Sequence, residues 1–202
     1  MPKQTPSQTV GPWFSYGLTP EAYGRVGVAT NVLTSDQTSG TRIRLSGQVL
    51  DGAGRPVPDA LIEIWQANAA GRYAHPADSR DLVPADPAFH GFGRIATGAE
   101  GRFAFDTIKP GRVPGPKGSQ SNEAQAPHIS MIVFARGLLS HLHTRVYFAD
   151  EAEANAQDPI LALVEPARRG TLIAERQDGH GGPAYRLDIH LQGPSETVFF
   201  DA

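Results

Sequence analysis

Apolar and polar residues alternate along most of this chain in short stretches, the period-two pattern of strands with one buried face. TRIRLSGQVLD (41–51) sets Ile43, Leu45 and Val49 on one face. The turn-rich DGAGRPVPDA (51–60) follows, and ALIEIWQAN (60–68) resumes extended structure, which predicts two strands of an antiparallel sheet. GRFAFDTI (101–108), HISMIVFARG (128–137), HLHTRVYF (141–148) and AYRLDIHLQG (184–193) predict further strands, with ETVFF (196–200) a candidate last one. Short strands separated by turn signals point to a mainly β sandwich or barrel.

Three regions break this rhythm. Residues 69–94 and 109–127 are polar and rich in Gly and Pro, and loops of that length in a compact domain usually carry function or an interface. Residues 149–178 are rich in Ala, Glu, Leu and Arg but interrupted by Pro159 and Pro166, which predicts two short helical pieces. The first 40 residues show little periodicity and read as an arm that reaches a neighbour. The expected organisation is one domain over 1–202: an arm (1–40), sandwich strands and loops (41–148 and 180–202), and a helical insertion (149–179).

Composition narrows the chemistry. The chain has 202 residues, 40% hydrophobic and 19% charged, as in ordinary globular domains. With 18 basic against 21 acidic residues and no Lys/Arg block, it lacks the footprint expected for nucleic acid or an anionic membrane. There is no cysteine, so disulfides, thiolate nucleophiles and thiolate metal sites are excluded, and a metal would need His, Tyr, Asp or Glu. No apolar stretch approaches a signal-peptide core or the ~20 residues of a membrane span, and a cytoplasmic location is expected.

Few residues stand out as chemistry. In APHISM, His128 and Ser130 point to one side of a strand, so a second imidazole at 130 would have made a chelating pair. HLH at 141–143 puts His141 and His143 on the same face as Arg145 and Tyr147. That pair lacks a third ligand and has a cation beside it, which favours a structural or interface role over metal. His75, His90, His180 and His190 stand singly. Arg136 ends an apolar strand and needs either an acidic neighbour or an anionic ligand, whose carboxylate a guanidinium suits. Gly11 and Pro12 in SQTVGPW permit close backbone approach to a ligand, while Glu151 and Glu153 read as a solvated face.

TPSQTVGPWF, SGQVLDGAGRPVPDALIEIWQANAAGRY, GFGRIATGAEGRFAFDTIKPG, APHI, HLHTRVYF and YRLDIHLQGPSETVFFD together resemble the intradiol aromatic-ring dioxygenases, specifically the alpha-type chain of its two-chain members, from Thr5 to Asp201. The resemblance implies an antiparallel β-sandwich subunit paired with a homologous beta chain in a larger hetero-oligomer. It further implies a non-haem ferric ion, held by the beta partner through two tyrosines and two histidines, that binds protocatechuate as a chelate for cleavage by dioxygen between the hydroxyls. In this chain the four ligand positions correspond to Asp81, Val113, His128 and Ser130, and Tyr73 is the only tyrosine between 72 and 146. The resemblance therefore implies no metal in this chain. It makes Thr9, Gly11, Pro12, Trp13 and Arg136 walls of a substrate pocket shared with the beta chain, Trp13 standing where the family commonly has tyrosine. Two rivals remain: a structural scaffold that touches no substrate, and a self-sufficient metalloenzyme built on His141 and His143.

Overall fold

A computed structural model describes residues 16–116, 124–179 and 182–201. Among the described residues nine strands form: β1 (Arg42–Leu50), β2 (Leu61–Trp65), β3 (Phe92–Ala96), β4 (Arg102–Ile108), β5 (His128–Phe134), β6 (Leu142–Phe148), β7 (Ile173–Gly179), β8 (Gly182–Arg186) and β9 (Ile189–His190). Their order is β3-β2-β5-β6-β7-β8-β1-β4, with β9 beside β1. Seven of them lie where alternation predicts a strand, whereas β3 begins in a stretch that reads as loop and β7 lies in one that reads as helical.

The expected sandwich becomes a single, nearly closed, barrel-like sheet, because its two halves are joined on both sides. On one side β7 turns the corner: Ile173 and Ala174 pair in parallel with Tyr147 and Phe148 of β6, and the rest of β7 pairs antiparallel with β8. On the other side the edges β3 and β4 are bridged by residues 30–33. Arg94 N donates to Thr30 O at 3.1 Å, Asp106 N to Asn31 O at 2.9 Å and Leu33 N to Asp106 O at 2.8 Å. The Asn31 side chain adds a bond to Ala104 O at 3.0 Å. Unpaired edge groups, a liability in open sheets, are thus satisfied from within the chain.

β1 and β2 do not pair with each other as their proximity in sequence suggests. β1 pairs with β4, β8 and β9, whereas β2 pairs with β3 and β5. Residues 51–57 fold back on β1 through Val57 N to Val49 O at 2.9 Å. The chain then turns at Asp59, whose φ of 60° is left-handed, and Ala60 N crosses to Thr97 Oγ1 at 2.9 Å. β3 lies partly inside a stretch that reads as loop; its core-facing positions are Gly93 and the partly buried Ile95, the absent side chain at Gly93 hides the alternation, and a Cβ there would meet Leu33 at 2.6 Å. β7 corrects the helical reading of 149–179: Glu175, Arg176 and Gln177 are exposed, so helix-favouring composition does not conflict with a strand. Helical structure stops short of it, as 3₁₀ turns at Ala149–Glu151, Leu161–Leu163 and Pro166–Leu172 and one short helix, α1 (Ala152–Ala156). ETVFF forms no strand beyond a bridge of Phe200 to His143.

The main core lies inside the sheet, with Leu45, Ile62, Phe105, Ile129, Met131 and Val146 among its buried residues. A satellite core of Ala126, Tyr147, Leu161, Val164 and Leu172 sits outside β6 under the 3₁₀ turns. Among the described residues, no helix is long and apolar enough to cross a membrane.

After β2, the buried amides of Gln66 and Asn68 gather the two long loops. Gln66 donates to Ile108 O at 2.9 Å and accepts from Thr107 Oγ1 at 2.8 Å. Asn68 Oδ1 accepts from Ala70 N and Arg72 N at 3.0 and 2.9 Å, and its Nδ2 donates to Pro84 O at 2.9 Å. Its carbonyl accepts from Gly111 N at 2.9 Å, which ties the second loop to the first. Asn68→Ala removes three side-chain bonds worth roughly 1 kcal/mol each. It is expected to lower the melting temperature by about 6–12 °C, measured calorimetrically against wild type; an unchanged melting temperature would refute this hub.

Candidate functional site

The two long loops converge over the outer face of β2, β5 and β6. Between them is a cleft of about 490 Å³ lined by residues that include Trp65, Tyr73, Arg80, Val113, Pro114 and Gln125. Trp65 and Tyr73 stack with ring centroids 5.8 Å apart and planes 12° from parallel. Arg80 is closed off by Asp78, donating at 2.7 and 2.5 Å, and by Gly71 O at 2.7 Å; this guanidinium holds the Asp78 carboxyl well below the usual range. Trp65, Ser130 and Arg145 are register partners across β2, β5 and β6 and share the outer face.

Next to the cleft lies a polar network built around the fully buried Asp158. Its Oδ2 accepts from Ala126 N at 2.7 Å, and its Oδ1 from Tyr147 Oη at 3.1 Å, Ile160 N at 2.9 Å and Leu161 N at 2.7 Å. Arg145 Nη1 donates to Gln125 Oε1 at 2.6 Å and makes a long contact of 3.5 Å with Tyr147 Oη. Gln125 in turn donates Nε2 to Pro114 O at 2.6 Å and its backbone N to Val113 O at 2.7 Å. His128, also buried, places Nδ1 2.8 Å from Ala126 O. A carbonyl can only accept, so Nδ1 carries the proton and Nε2 keeps its lone pair. Burial, followed by the charge of Arg145, pushes His128 down to about 4, and burial pushes the phenols of Tyr73 and Tyr147 up.

The structure brings some of the sequence-expected residues together and separates others. Val113 and Ser130 flank the same corner as His128, Val113 through its bond with Gln125. Asp81 turns away: its side chain is 93% exposed and pairs with Arg72 at 3.4 Å. These four residues do not fit a ferric ion. One offers no donor, one points to solvent, one is a lone hydroxyl, and the imidazole is single. A guanidinium also faces the corner, and its charge opposes a cation. Among the described residues, no group of three or more His, Asp or Glu side chains could hold a metal ion.

His141 and His143 do share a face, with rings edge to face at 4.7 Å, and His141 contacts Phe134 at 5.4 Å. Arg136 lies beyond the far end of β5 from His128, on the order of 20 Å away by strand rise. It pairs with Asp59 at 3.0 Å, both side chains more than half exposed. Thr9, Gly11, Pro12 and Trp13 lie outside the described residues, as does His180. Sequence reasoning noticed Arg145 and Tyr147 only as neighbours of the HLH pair and passed over Gln125 and Asp158. Asp158-Pro159 was a readable signal, since Asp commonly binds the backbone N–H groups two and three residues on.

His128 generates a pH prediction with a definite sign. Its folded-state pKa of about 4 lies below the ordinary 6.5, so the unfolded chain binds the extra proton between these values. The neutral ring's contribution is complete above pH ~6.5 and is lost as pH falls toward ~4, about 3 kcal/mol in all. Denaturation of wild type and His128→Gln across this window is expected to show wild type losing stability relative to the variant as pH falls. A pH-independent difference would refute the buried neutral ring. The Asp78 contribution falls in a lower window, below the ordinary carboxylate value of 3.8, and cancels in the comparison.

Known proteins of similar sequence and fold supply the remaining context. Residues 11–193 match the family model described as Dioxygenase. Protocatechuate 3,4-dioxygenase alpha chain from Burkholderia cepacia is 49% identical over 204 residues, covering 98% of this chain and 98% of that protein. Protocatechuate 3,4-dioxygenase beta chain from Burkholderia cepacia is 41% identical over 172 residues, covering 83% of this chain and 71% of that protein. The solved dioxygenase domain of a dioxygenase carbohydrate-binding protein fusion from Streptomyces sp. SirexAA-E is similar in fold, with a TM-score of 0.60 and 28% identity over 82% of this chain and 88% of that one. A match over nearly the whole chain, on the nine-stranded sheet described above, places it in a family: the chain belongs to the intradiol ring-cleaving dioxygenases.

Proposed function

We propose that this chain is the alpha subunit of a cytoplasmic protocatechuate 3,4-dioxygenase, pairing with a homologous beta subunit in a larger hetero-oligomer. The complex joins protocatechuate to dioxygen and breaks the bond between the two hydroxyl-bearing carbons, so both oxygen atoms enter 3-carboxy-cis,cis-muconate. The observation that carries this reading is the 49% identity to an alpha chain across 98% of both proteins. In this reading the beta subunit holds the ferric ion that supplies the redox chemistry. The unsuitable set Asp81, Val113, His128 and Ser130 supports this assignment. The contribution of this chain is to shape the shared pocket, through Thr9, Gly11, Pro12 and Trp13 of the arm and through Arg136. The Arg136 guanidinium, more than half exposed and paired among the described residues with the half-exposed Asp59, can exchange that partner for an anionic substrate across an interface.

His141 and His143, with no third ligand among the described residues, argue against a self-sufficient metalloenzyme. Expression with and without the beta chain is expected to give protocatechuate turnover and stoichiometric iron only for the pair. Stoichiometric iron and ring cleavage by this chain purified alone would overturn the assignment. The scaffold alternative is separated by Arg136→Gln in the co-expressed complex. A charge-assisted bond to substrate is worth about 1.5–3 kcal/mol, so kcat/KM is expected to fall about 10- to 100-fold. Unchanged kinetics in an intact assembly would favour the scaffold.

A further inference from the structure

The cleft between the two long loops has a chemistry that the proposed function leaves unused. One side is aromatic and apolar: the stacked Trp65 and Tyr73, continued by Val113 and Pro114. Beside it stands a cation with unspent donors. Of the five N–H groups of the Arg145 guanidinium, Nη1 serves Gln125, which lines the cleft, and reaches toward Tyr147. Among the described residues Arg145 has no carboxylate partner, and its Nε and Nη2 are neither bonded within the protein nor buried without a partner. They therefore face solvent. The other charges of this corner are committed: Arg80 to Asp78, and Asp158 to the Tyr147 hydroxyl and three backbone amides. Trp65 and Arg145 share the outer face through Ser130, and Arg145 is bonded to Gln125 of the cleft wall, so the aromatic side and the cation border one space.

We propose that this cleft binds a planar aryl carboxylate, its ring against the Trp65 and Tyr73 face and its carboxylate on the free Nε and Nη2 donors of Arg145. The size suits the class, since small-ligand clefts run ~300–1,000 Å³ and pair apolar walls with few polar groups. Trp65 and Arg145 stand two strands apart on one face, about 10 Å between backbones, a span that a one-ring acid fills between two long side chains. A guanidinium presents two parallel N–H groups that match a carboxylate. One cation among apolar walls would leave half the charge of a phosphate dianion uncompensated, which selects the monoanion. This inference does not depend on which chain of the assembly carries iron.

The test uses the co-expressed complex labelled with fluorotryptophan and titrated with 4-hydroxybenzoate, followed by fluorine NMR. The Trp65 signal is identified by its loss in Trp65→Phe. It is expected to shift saturably with the probe, and Arg145→Gln is expected to weaken that binding about tenfold or more, with Arg145→Lys intermediate. Cyclohexanecarboxylate, which has the charge but no π face, is expected to bind at least about fivefold more weakly. A Trp65 signal that the probe does not move, equal affinity in Arg145→Gln, or equal affinity for cyclohexanecarboxylate overturns the proposal. Should Arg145→Gln fail to assemble, Arg145→Lys and Tyr73→Leu serve in its place, and undiminished binding in both overturns it equally. Iron content of the separated chains, measured on the same preparations, reports on the subunit assignment independently.

Discussion

A carboxylate removed entirely from water must be met by donors on every side, and the corner of the molecule outside β6 is built to that requirement. Asp158 is fully buried and receives a phenol and three backbone amides. A buried charge without such a shell costs several kcal/mol. Each donor comes from a different constraint: Ala126 leads into β5, Tyr147 ends β6, and Ile160 and Leu161 open the 3₁₀ turn of the satellite core. Misplacing any one of these elements would expose an unpaired charge, so the loop before β5 and the segment after β6 are fixed relative to each other.

The same shell sets the electrical character of the neighbouring corner. Tyr147 hands its proton side to Asp158 and shows its oxygen toward Arg145, while Ala126 joins Asp158 through its amide and His128 through its carbonyl. The imidazole stays neutral with Nδ1 occupied, and the positive charge there belongs to a guanidinium. A metal centre would demand the reverse: anionic oxygens converging on a dication or trication, with imidazoles held as lone-pair donors. Only the tautomer of His128 matches that demand. The corner thus offers a single imidazole lone pair, and its positive charge is that of an organic cation.

Much of the sheet was readable because strands β1, β2, β4, β5 and β6 each carry several buried side chains at period two, as Ile129, Met131 and Val133 do. Where the pattern failed, the buried contribution was small. β3 presents Gly93 to the core, and β7 buries Ala174 fully and Ile173 in part while Glu175, Arg176 and Gln177 lie exposed. The pairing of β1 with β4 rather than β2 could not be read from turns, because the 51–60 segment closes on its own strand before crossing over. At the candidate site the resemblance to a family located Val113, His128 and Ser130 in one neighbourhood. It could not reveal Asp158 or Gln125, whose roles come from backbone groups far away in sequence. Asp81, matched to a ligand position in sequence, faces solvent in space.

The short segment that bridges β3 and β4 has a consequence for the order of folding. Its partners, Arg94 and Asp106, are more than sixty residues downstream of it, and its bonds to them require both edge strands to be already formed and brought side by side. Closing such long loops is entropically slow relative to forming hairpins. Residues 30–33 therefore dock late, although they are made early. The described segment that precedes them, residues 16–29, is joined to the sheet through them only once both edges are formed, so a half-folded chain cannot hold it in its final place.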